Sequence, residues 1–450
     1  MAYPFVKIFG LVKGTNLALL LQLTLGAFVA ALLGWEITKN RSAAWLSGIA
    51  LGFCPFIFAR LQGHWCYSSI APLVLVALLL LRLKRNPTLK SAISMSIGFL
   101  LLALADPTYL IFGFLLAGCL VACYPRIVFS KLCLAIALFF LIYSPVLIGS
   151  YREYLRGGNE TVQRGREQTF SADVFEYFTP NSGHPLLRKS QQFVKFIKRH
   201  KFGFEAKRLW PGLVVLIFAT SLFFWKRPNQ SLEVRWFVLI SVLSFVLSLG
   251  SPIRILRHET VPSIYEVIDH IPILGYIRAP GRYGILVQLG LTCLACIAAA
   301  ETAKRYGKIF VIAAGIFLIF EFLPAPIPLV STRVPEAVSV LATEPYGVVW
   351  DLGTFDLETL LFQTAHQKPI IDGFYARKWS NDRIPERTLR LLTRRAASGD
   401  PAATNELNKT FSDWKIRYVL AAKDNDLPHL LYLQSNQILS VIYEDSEWTL

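Results

Sequence analysis

Long apolar runs separated by short polar connections are the feature that most constrains how this chain can fold. About 17 to 25 apolar residues cross a bilayer as a helix, and a tilted helix or a locally thinned bilayer accommodates shorter runs. Ten such runs predict ten spans, at residues 17–35, 43–58, 70–83, 91–105, 110–124, 132–150, 210–225, 236–249, 284–300 and 309–323. Because 54% of the 450 residues are hydrophobic and only 17% are charged, the chain is typical of a polytopic membrane protein.

The basic residues predict the orientation of these spans. They cluster in every second connection, at Lys39 and Arg41, Arg82 to Lys90, Arg126 and Lys131, Lys226 to Arg235, and Lys304 to Lys308. Since positively charged loops stay on the cytoplasmic side, the alternate connections and the C-terminus are expected outside a bacterial inner membrane. The net charge of +16 is then explained by membrane topology and membrane lipid, and a nucleic-acid partner is not expected.

The same alternation places residues 1–16 outside, without an earlier span to carry them there. Either this segment is exported unaided, or the reading frame lacks an upstream helix and the outside loop after it. Lys7 and Lys13 fit an exported segment poorly. We therefore expect a frame that is shortened at its N-terminus.

The composition changes after the last apolar run, which divides the chain into two parts. Residues 1–329 are predicted to form an all-α polytopic membrane bundle with outside loops 151–209 and 251–283. Residues 330–450 are predicted to form a small α/β extracytoplasmic domain. Its expected strands are 347–352, 369–373, 416–421 and 439–443, and its expected helices are 385–395 and 402–408. It contains no glycine-rich phosphate loop, nucleophile elbow or metal-ligand spacing.

Two arginines close the second outside loop, directly before a span. Arg278 and Arg282 are four residues apart, so in a helical turn both guanidinium groups would point the same way. Such a fork suits an anionic headgroup, a lipid phosphate or a carboxylate. The alternative is that they are interfacial arginines that anchor the span.

Two further ionisable residues are predicted on the same side. Asp106 lies in a hairpin so tight that its carboxylate must be near the bilayer surface, and His64 lies in a short neighbouring loop. With the arginines they could line one outward-facing cavity, the carboxylate as base or metal ligand and the histidine as proton relay. The alternatives are that Asp106 caps the helix after Pro107 and that His64 is an ordinary loop histidine.

One segment and one motif are open to competing interpretations. Residues 193–201 alternate apolar and basic side chains, which suits either an amphipathic helix on the membrane surface or a solvated face packed on the protein. Cys293 and Cys296 have a redox or metal spacing but lie inside a predicted span without other soft ligands. We predict small buried side chains there, and no metal site.

The order of several short motifs resembles the GT-C superfamily of polytopic bacterial membrane glycosyltransferase-like proteins. The motifs are Arg60-Leu61-Gln62-Gly63-His64, Asp106-Pro107-Thr108-Tyr109, Asp173 to Pro180 followed by His184-Pro185-Leu186, Leu249-Gly250-Ser251, and Ile277-Arg278-Ala279-Pro280-Gly281-Arg282-Tyr283. The likeness covers most of residues 1–320 as a pattern, and each motif alone is weak.

This resemblance implies transfer of a sugar from a polyprenyl-phosphate donor on the outer face of the cytoplasmic membrane. Arginine would hold the phosphate and a carboxylate would activate the acceptor hydroxyl, sometimes with a divalent cation. The acidic motif of that superfamily usually lies in the first outside loop, before the start of this chain, so no catalytic acid is carried over. The alternative function is a non-catalytic membrane protein that binds or presents a lipid-linked glycan.

Overall fold

Helices dominate the described part of the chain. The computed structural model describes residues 2–61, 64–155, 170–180, 184–200, 208–224, 231–269, 279–323, 332–352, 356–371, 386–423, 432–433 and 439–450. The chain divides into two units, Met1–Ile148 with Gln163–Pro328, and Gly149–Val162 with Leu329–Leu450.

The first unit is built from apolar helices. In chain order they are α1 (Tyr3–Phe9), α2 (Leu11–Thr38), α3 (Arg41–Gly52), α4 (Pro55–Arg60), α5 (Trp65–Ser68), α6 (Ala71–Arg85), α7 (Leu89–Ala105), α8 (Pro107–Cys123), α9 (Pro125–Leu155, of which residues 149–155 belong to the second unit), α10 (Gln191–His200), α11 (Leu213–Ser221), α12 (Ser231–Ser248), α13 (Tyr265–Asp269), α14 (Gly284–Tyr306) and α15 (Lys308–Glu321). Each of the ten apolar runs overlaps one of these helices or, for run 43–58, the pair α3 and α4.

Four helical segments are long and apolar enough to cross a membrane, which is typical of a membrane protein. They are Leu11–Thr38, Arg41–Arg60, Pro125–Arg152 and Pro280–Tyr306. Shorter apolar helices run over Leu89–Ala105, Pro107–Cys123 and Leu213–Phe224. The all-α character of the predicted bundle is therefore confirmed, whereas ten crossings remain a prediction.

Helix α14 lies at the centre of the first unit. In the most apolar 18 residues of the segment Pro280–Tyr306, which contains α14, 94% are buried. In the segment Pro125–Arg152, which contains most of α9, the same share is only 17%, and these residues have the composition to face lipid. The Gln288 side-chain amide donates hydrogen bonds to the carbonyls of Ala50 (2.8 Å) and Pro211 (3.3 Å), and so joins α14 to α3 and to the start of α11. At Gly34, a Cβ would lie 3.0 Å from the sulfur of Cys296, so the absent side chain permits close packing of α2 on α14.

Charged groups gather where α2 and α6 end and α12 begins. Arg85 pairs with Glu36 at 2.7 Å and with Glu233 at 3.1 Å, and Lys84 reaches Glu233 at 3.3 Å. All five charges in this network, including Lys39 on Glu36, lie at the ends of the helices that the basic clusters predict to be inside. The opposite end of the bundle carries the starts of α6, α8 and α14.

Two segments that are predicted to lie outside are joined at that opposite end. The short strands β1 (Arg254–Ile255) and β2 (His258–Glu259) form an antiparallel hairpin. Buried Asp173 accepts hydrogen bonds from the Phe175 amide (2.9 Å) and from the Arg257 amide in the hairpin turn (2.7 Å). Its carboxylate therefore fixes the segment 170–180 to the hairpin.

The second unit contains a four-stranded sheet. Strands β3 (Val348–Leu352), β4 (Ile370–Ile371) and β5 (Ile416–Ala422) are parallel, β6 (Trp448–Thr449) is antiparallel to β5, and the order is β4-β3-β5-β6. The helices are α16 (Glu336–Thr343), α17 (Asp356–His366), α18 (Glu386–Ala397) and α19 (Pro401–Asp413). Trp350, Leu352 and Val419 are buried in its core.

The predicted strand at residues 439–443 is wrong. Residues 439–443 form no strand, although the amides of Ile442 and Tyr443 donate to the carbonyl of Leu450, directly after β6, at 2.8 and 3.2 Å. The strand that pairs with β5 is Trp448–Thr449. An apolar run alone does not show which of two neighbouring segments takes the free edge of a sheet.

Candidate functional site

Three side chains from distant parts of the chain meet at the end of the bundle that is predicted to face outward. The Arg282 guanidinium donates a hydrogen bond to the Tyr67 hydroxyl at 2.6 Å, and its carbon lies 4.4 Å from the centre of the Tyr67 ring. The Tyr67 hydroxyl in turn lies 2.9 Å from the hydroxyl of Thr108. Tyr67 therefore links the segment before α14 to the first turn of α8.

Asp106 lies one step further along this chain of contacts. Its Oδ1 accepts a hydrogen bond from the Thr108 amide at 2.7 Å, so the residue caps α8, as one of the two interpretations predicts. The cap occupies one carboxylate oxygen in a half-buried side chain. Its second oxygen takes no part in the cap.

The Cys66 thiol lies against this carboxylate. Burial, the charge of Asp106 and a hydrogen bond with it raise the pKa of Cys66 to about 11. The neighbouring Tyr67 has a pKa raised to about 12 because burial outweighs the nearby positive charge of Arg282. Cys66 and Tyr67 are therefore protonated at neutral pH.

Arg60 adds a second guanidinium close to the same tyrosines. Its side chain is only 2% exposed and its guanidinium lies 4.5 Å from the centre of the Phe56 ring, at the end of α4. It acts electrostatically on Tyr109, whose hydroxyl donates to the backbone carbonyl of Tyr67 and whose ring meets the Tyr67 ring edge-on at 5.5 Å. Arg282 thus contacts Tyr67, and Arg60 acts on Tyr109.

Arg208 is a third arginine in this region. Burial and the positive charge of Arg60 lower the pKa of Arg208, which places the two guanidinium groups near each other. Its neighbour Leu209 packs against Gly284 at the start of α14, two residues after Arg282. The region therefore brings three guanidinium groups, those of Arg60, Arg208 and Arg282, to one end of the bundle.

The structure brings two of the four predicted site residues together, places one beside them and does not describe the fourth. Asp106 and Arg282 are brought into one cluster through Tyr67 and Thr108. His64 precedes α5 and its ring lies 6.2 Å from that of Tyr67, beside the cluster. Arg278 lies outside the described residues, so its pairing with Arg282 stays a prediction. Arg282 itself lies in a short 3₁₀ turn, Pro280–Tyr283.

Sequence reasoning missed Tyr67, Arg60, Arg208 and Cys66. One signal was available for Arg60, since it is a cation directly after an apolar run, and ionisable residues at membrane depth are costly and often functional. The other three carry no local pattern. Among the described residues, no group of three His, Cys, Asp or Glu side chains could hold a metal ion.

We call Arg60, Tyr67, Asp106, Arg208 and Arg282 the outer cluster. It contains three arginines, one carboxylate and the buried Tyr67, and it lies next to the buried Tyr109. Groups of these kinds bind phosphate and accept protons in other proteins.

A bundle of apolar helices with a cluster of polar side chains at one end is typical of a helical membrane protein. The chain belongs to the family described as Domain of unknown function (DUF6311), whose model matches residues 10–320. A comparison with curated proteins finds no match.

Proposed function

We propose that this protein is a GT-C-like membrane glycosyltransferase, which moves a sugar from a polyprenyl-phosphate donor on the outer face of the cytoplasmic membrane. The observation that carries the proposal is the outer cluster, in which Arg282 and Asp106 are joined through Tyr67 and Thr108. A lipid-linked phosphate needs cations at a membrane-facing position, and an acceptor hydroxyl needs a base beside it.

The residues divide into two roles in this proposal. Arg282, with Arg60 and Arg208 behind it, holds the donor phosphate and stabilises the charge that grows on it when the sugar leaves. Asp106 takes the acceptor proton with the oxygen that does not cap α8. His64 relays that proton to water, and Arg278 adds a second guanidinium beside Arg282. If the reaction uses a divalent cation, Asp106 would be the carboxylate of the outer cluster that holds it, and the cation would neutralise charge on the donor phosphate.

The proposed location follows from the charges at the two ends of the bundle. The ion network of Arg85, Glu36 and Glu233 lies at the inside-predicted end. The outer cluster lies where α6, α8 and α14 begin. With the C-terminus outside, the α/β unit would be extracytoplasmic, on the side where glycan acceptors are met.

The second candidate function is a non-catalytic protein that binds or presents a lipid-linked glycan. The observation that favours it is the same arginine cluster, because phosphate binding needs no base. The two functions share their ligand and differ only in the task of Asp106.

Three forms of the full-length protein test the proposal: wild type, Asp106→Asn and Arg282→Ala. Asparagine caps a helix about as well as aspartate, so Asp106→Asn removes the base and keeps α8 intact. Membranes containing each form are given radiolabelled polyprenyl-phosphate sugars, and both binding of the donor and release of its sugar are measured. We expect Asp106→Asn to bind normally and to lose transfer by about 100-fold or more.

The remaining outcomes separate the alternatives. Arg282→Ala should weaken donor binding by about 10-fold or more, since it removes charge-assisted hydrogen bonds. Donor binding by the wild type without transfer under any condition would favour the presenting function. Equal binding and equal transfer by all three forms would remove both residues from the site.

A further inference from the structure

A stretch of the long outside loop carries positive charge and no compensating acid. Between Glu176 and Glu205 the sequence contains no aspartate or glutamate. The described part of this stretch holds five exposed cations: Arg188, Lys189, Lys195, Lys198 and Arg199. We call residues 186–199 the basic segment.

The helix in this segment separates its two kinds of side chain. In α10, Ile197 is buried and Phe193, Val194 and Phe196 are half-buried, whereas the cations Lys195, Lys198 and Arg199 are exposed. The apolar side is therefore largely occupied by the protein and does not insert into lipid as a whole. The basic side remains available to a partner.

The segment starts beside the end of α15, which carries exposed apolar side chains. The ring of buried His184 lies with Nε2 2.9 Å from the carbonyl oxygen of Phe320 and meets the Phe320 ring edge-on at 5.3 Å. Phe320 belongs to a set of exposed apolar residues in the last two turns of α15, with Ile316, Phe317 and Ile319. Leu186, two residues after His184, is itself 56% exposed.

These contacts place the start of the basic segment at the end of α15. If α15 crosses the membrane, as the sequence predicts, this end lies at the boundary of the hydrocarbon core. Cations that leave the protein there meet the level of the lipid headgroups, where each Lys or Arg strengthens binding to an anionic surface about fivefold at low salt.

We propose that the basic segment docks on anionic phospholipid headgroups of the leaflet next to the end of α15. Charge complementarity selects this occupant, since five exposed cations without a nearby acid in the sequence favour a surface with many negative charges. The proposal concerns a surface separate from the outer cluster, and it holds whether or not the protein transfers sugar.

A site-specific fluorophore tests the docking. The exposed Cys66 and Cys133 are replaced by serine, and a dye is attached to Gln192→Cys in α10 of the full-length protein. The protein is reconstituted in phosphatidylcholine bilayers that contain a small fraction of quencher on the headgroup of either phosphatidylglycerol or phosphatidylcholine. We expect the anionic lipid to quench several-fold more at equal fraction.

Two variants show whether charge is the cause. K195Q/K198Q/R199Q removes three of the five exposed cations and should bring the quenching ratio of the two lipids much closer to one. K195R/K198R/R199K keeps every charge and should keep the wild-type ratio. An equal ratio in the glutamine variant and the wild type would overturn the proposal.

Salt gives a second test that needs no substitution beyond the label. At about 1 M salt the screening length falls to about 3 Å, so a headgroup preference based on charge should disappear. Preferential quenching that persists unchanged at high salt would also overturn the proposal, because it would come from contacts other than those of the cations.

Discussion

Arg282 and Tyr67 are 215 positions apart in the sequence, yet the guanidinium of one contacts both the ring face and the hydroxyl of the other. A cation held in two ways keeps one orientation, since a rotation that preserves the ring contact would break the hydrogen bond. Arg282 is therefore oriented before any ligand arrives. The same contact joins the start of α14 to α5.

Tyr67→Phe removes the hydroxyl and keeps the ring. We expect the affinity for a polyprenyl phosphate to fall by roughly 2-fold to 12-fold, the value of one ordinary hydrogen bond. Equilibrium binding by the purified full-length protein measures it, with Tyr346→Phe as the control because Tyr346 is 77% exposed in the second unit. Unchanged affinity in Tyr67→Phe would show that Arg282 does not need this partner.

The Cys66 thiol reports on the charge of Asp106. Because only the thiolate is alkylated, its pKa of about 11 predicts a labelling rate that still rises with pH above pH 9. In Asp106→Asn the negative charge is lost, the pKa should fall and labelling at pH 9 should be several-fold faster. The pH dependence of labelling checks this. The exposed Cys133, labelled in the same sample, shows that the reagent is equally active in both proteins. The same midpoint in both proteins would contradict the contact.

The proposed orientation predicts opposite accessibility for two exposed residues. His258 lies in the outer hairpin and Lys308 begins α15 at the other end of the bundle. In a cysteine-free background, His258→Cys should react with an impermeant maleimide in intact cells, and Lys308→Cys only after permeabilisation. Labelling of both from one side would remove the basis for an outward-facing outer cluster.

His366 makes the second unit sensitive to acid. Burial and the charge of Lys368 lower the pKa of His366 to about 4, while its Nδ1 accepts a hydrogen bond from the Lys368 amide at 3.0 Å. The unfolded state binds the proton more readily, so stability is complete above about pH 6.5 and is lost as the pH falls toward 4, by ~2 kcal/mol. Hydrogen exchange of β5 amides measures this loss.

The matched control is His366→Gln, which cannot take up the proton. Its β5 amides should show a much smaller change over the same pH range, whatever its stability at neutral pH. A variant as acid-sensitive as the wild type would assign the effect to other groups.

The helices could be predicted from the sequence because lipid imposes its requirement locally. A run such as 91–105 must satisfy its own backbone in an apolar solvent, so length and hydropathy suffice to predict α7. The cap of α8 was equally local, since Asp106 and Pro107 are adjacent. In the second unit, the strands β3 and β5 are buried apolar runs, and the segments predicted as 347–352 and 416–421 coincide with them.

The outer cluster could be predicted only in part. Asp106 and Arg282 stood out because charges next to spans are costly. Tyr67 and Arg208 are ordinary residues in sequence, and their place follows from helix packing over long separations. The edge strand β6 was missed for the same reason, because which segment pairs with β5 is decided by tertiary contacts and not by the run of residues 439–443.

The double role of Asp173 has a consequence for how this end of the bundle holds together. One carboxylate accepts hydrogen bonds from both the Phe175 amide and the Arg257 amide, so two segments distant in sequence depend on a single side chain. Asp173→Ala would leave both amides without this partner and would loosen the two segments together.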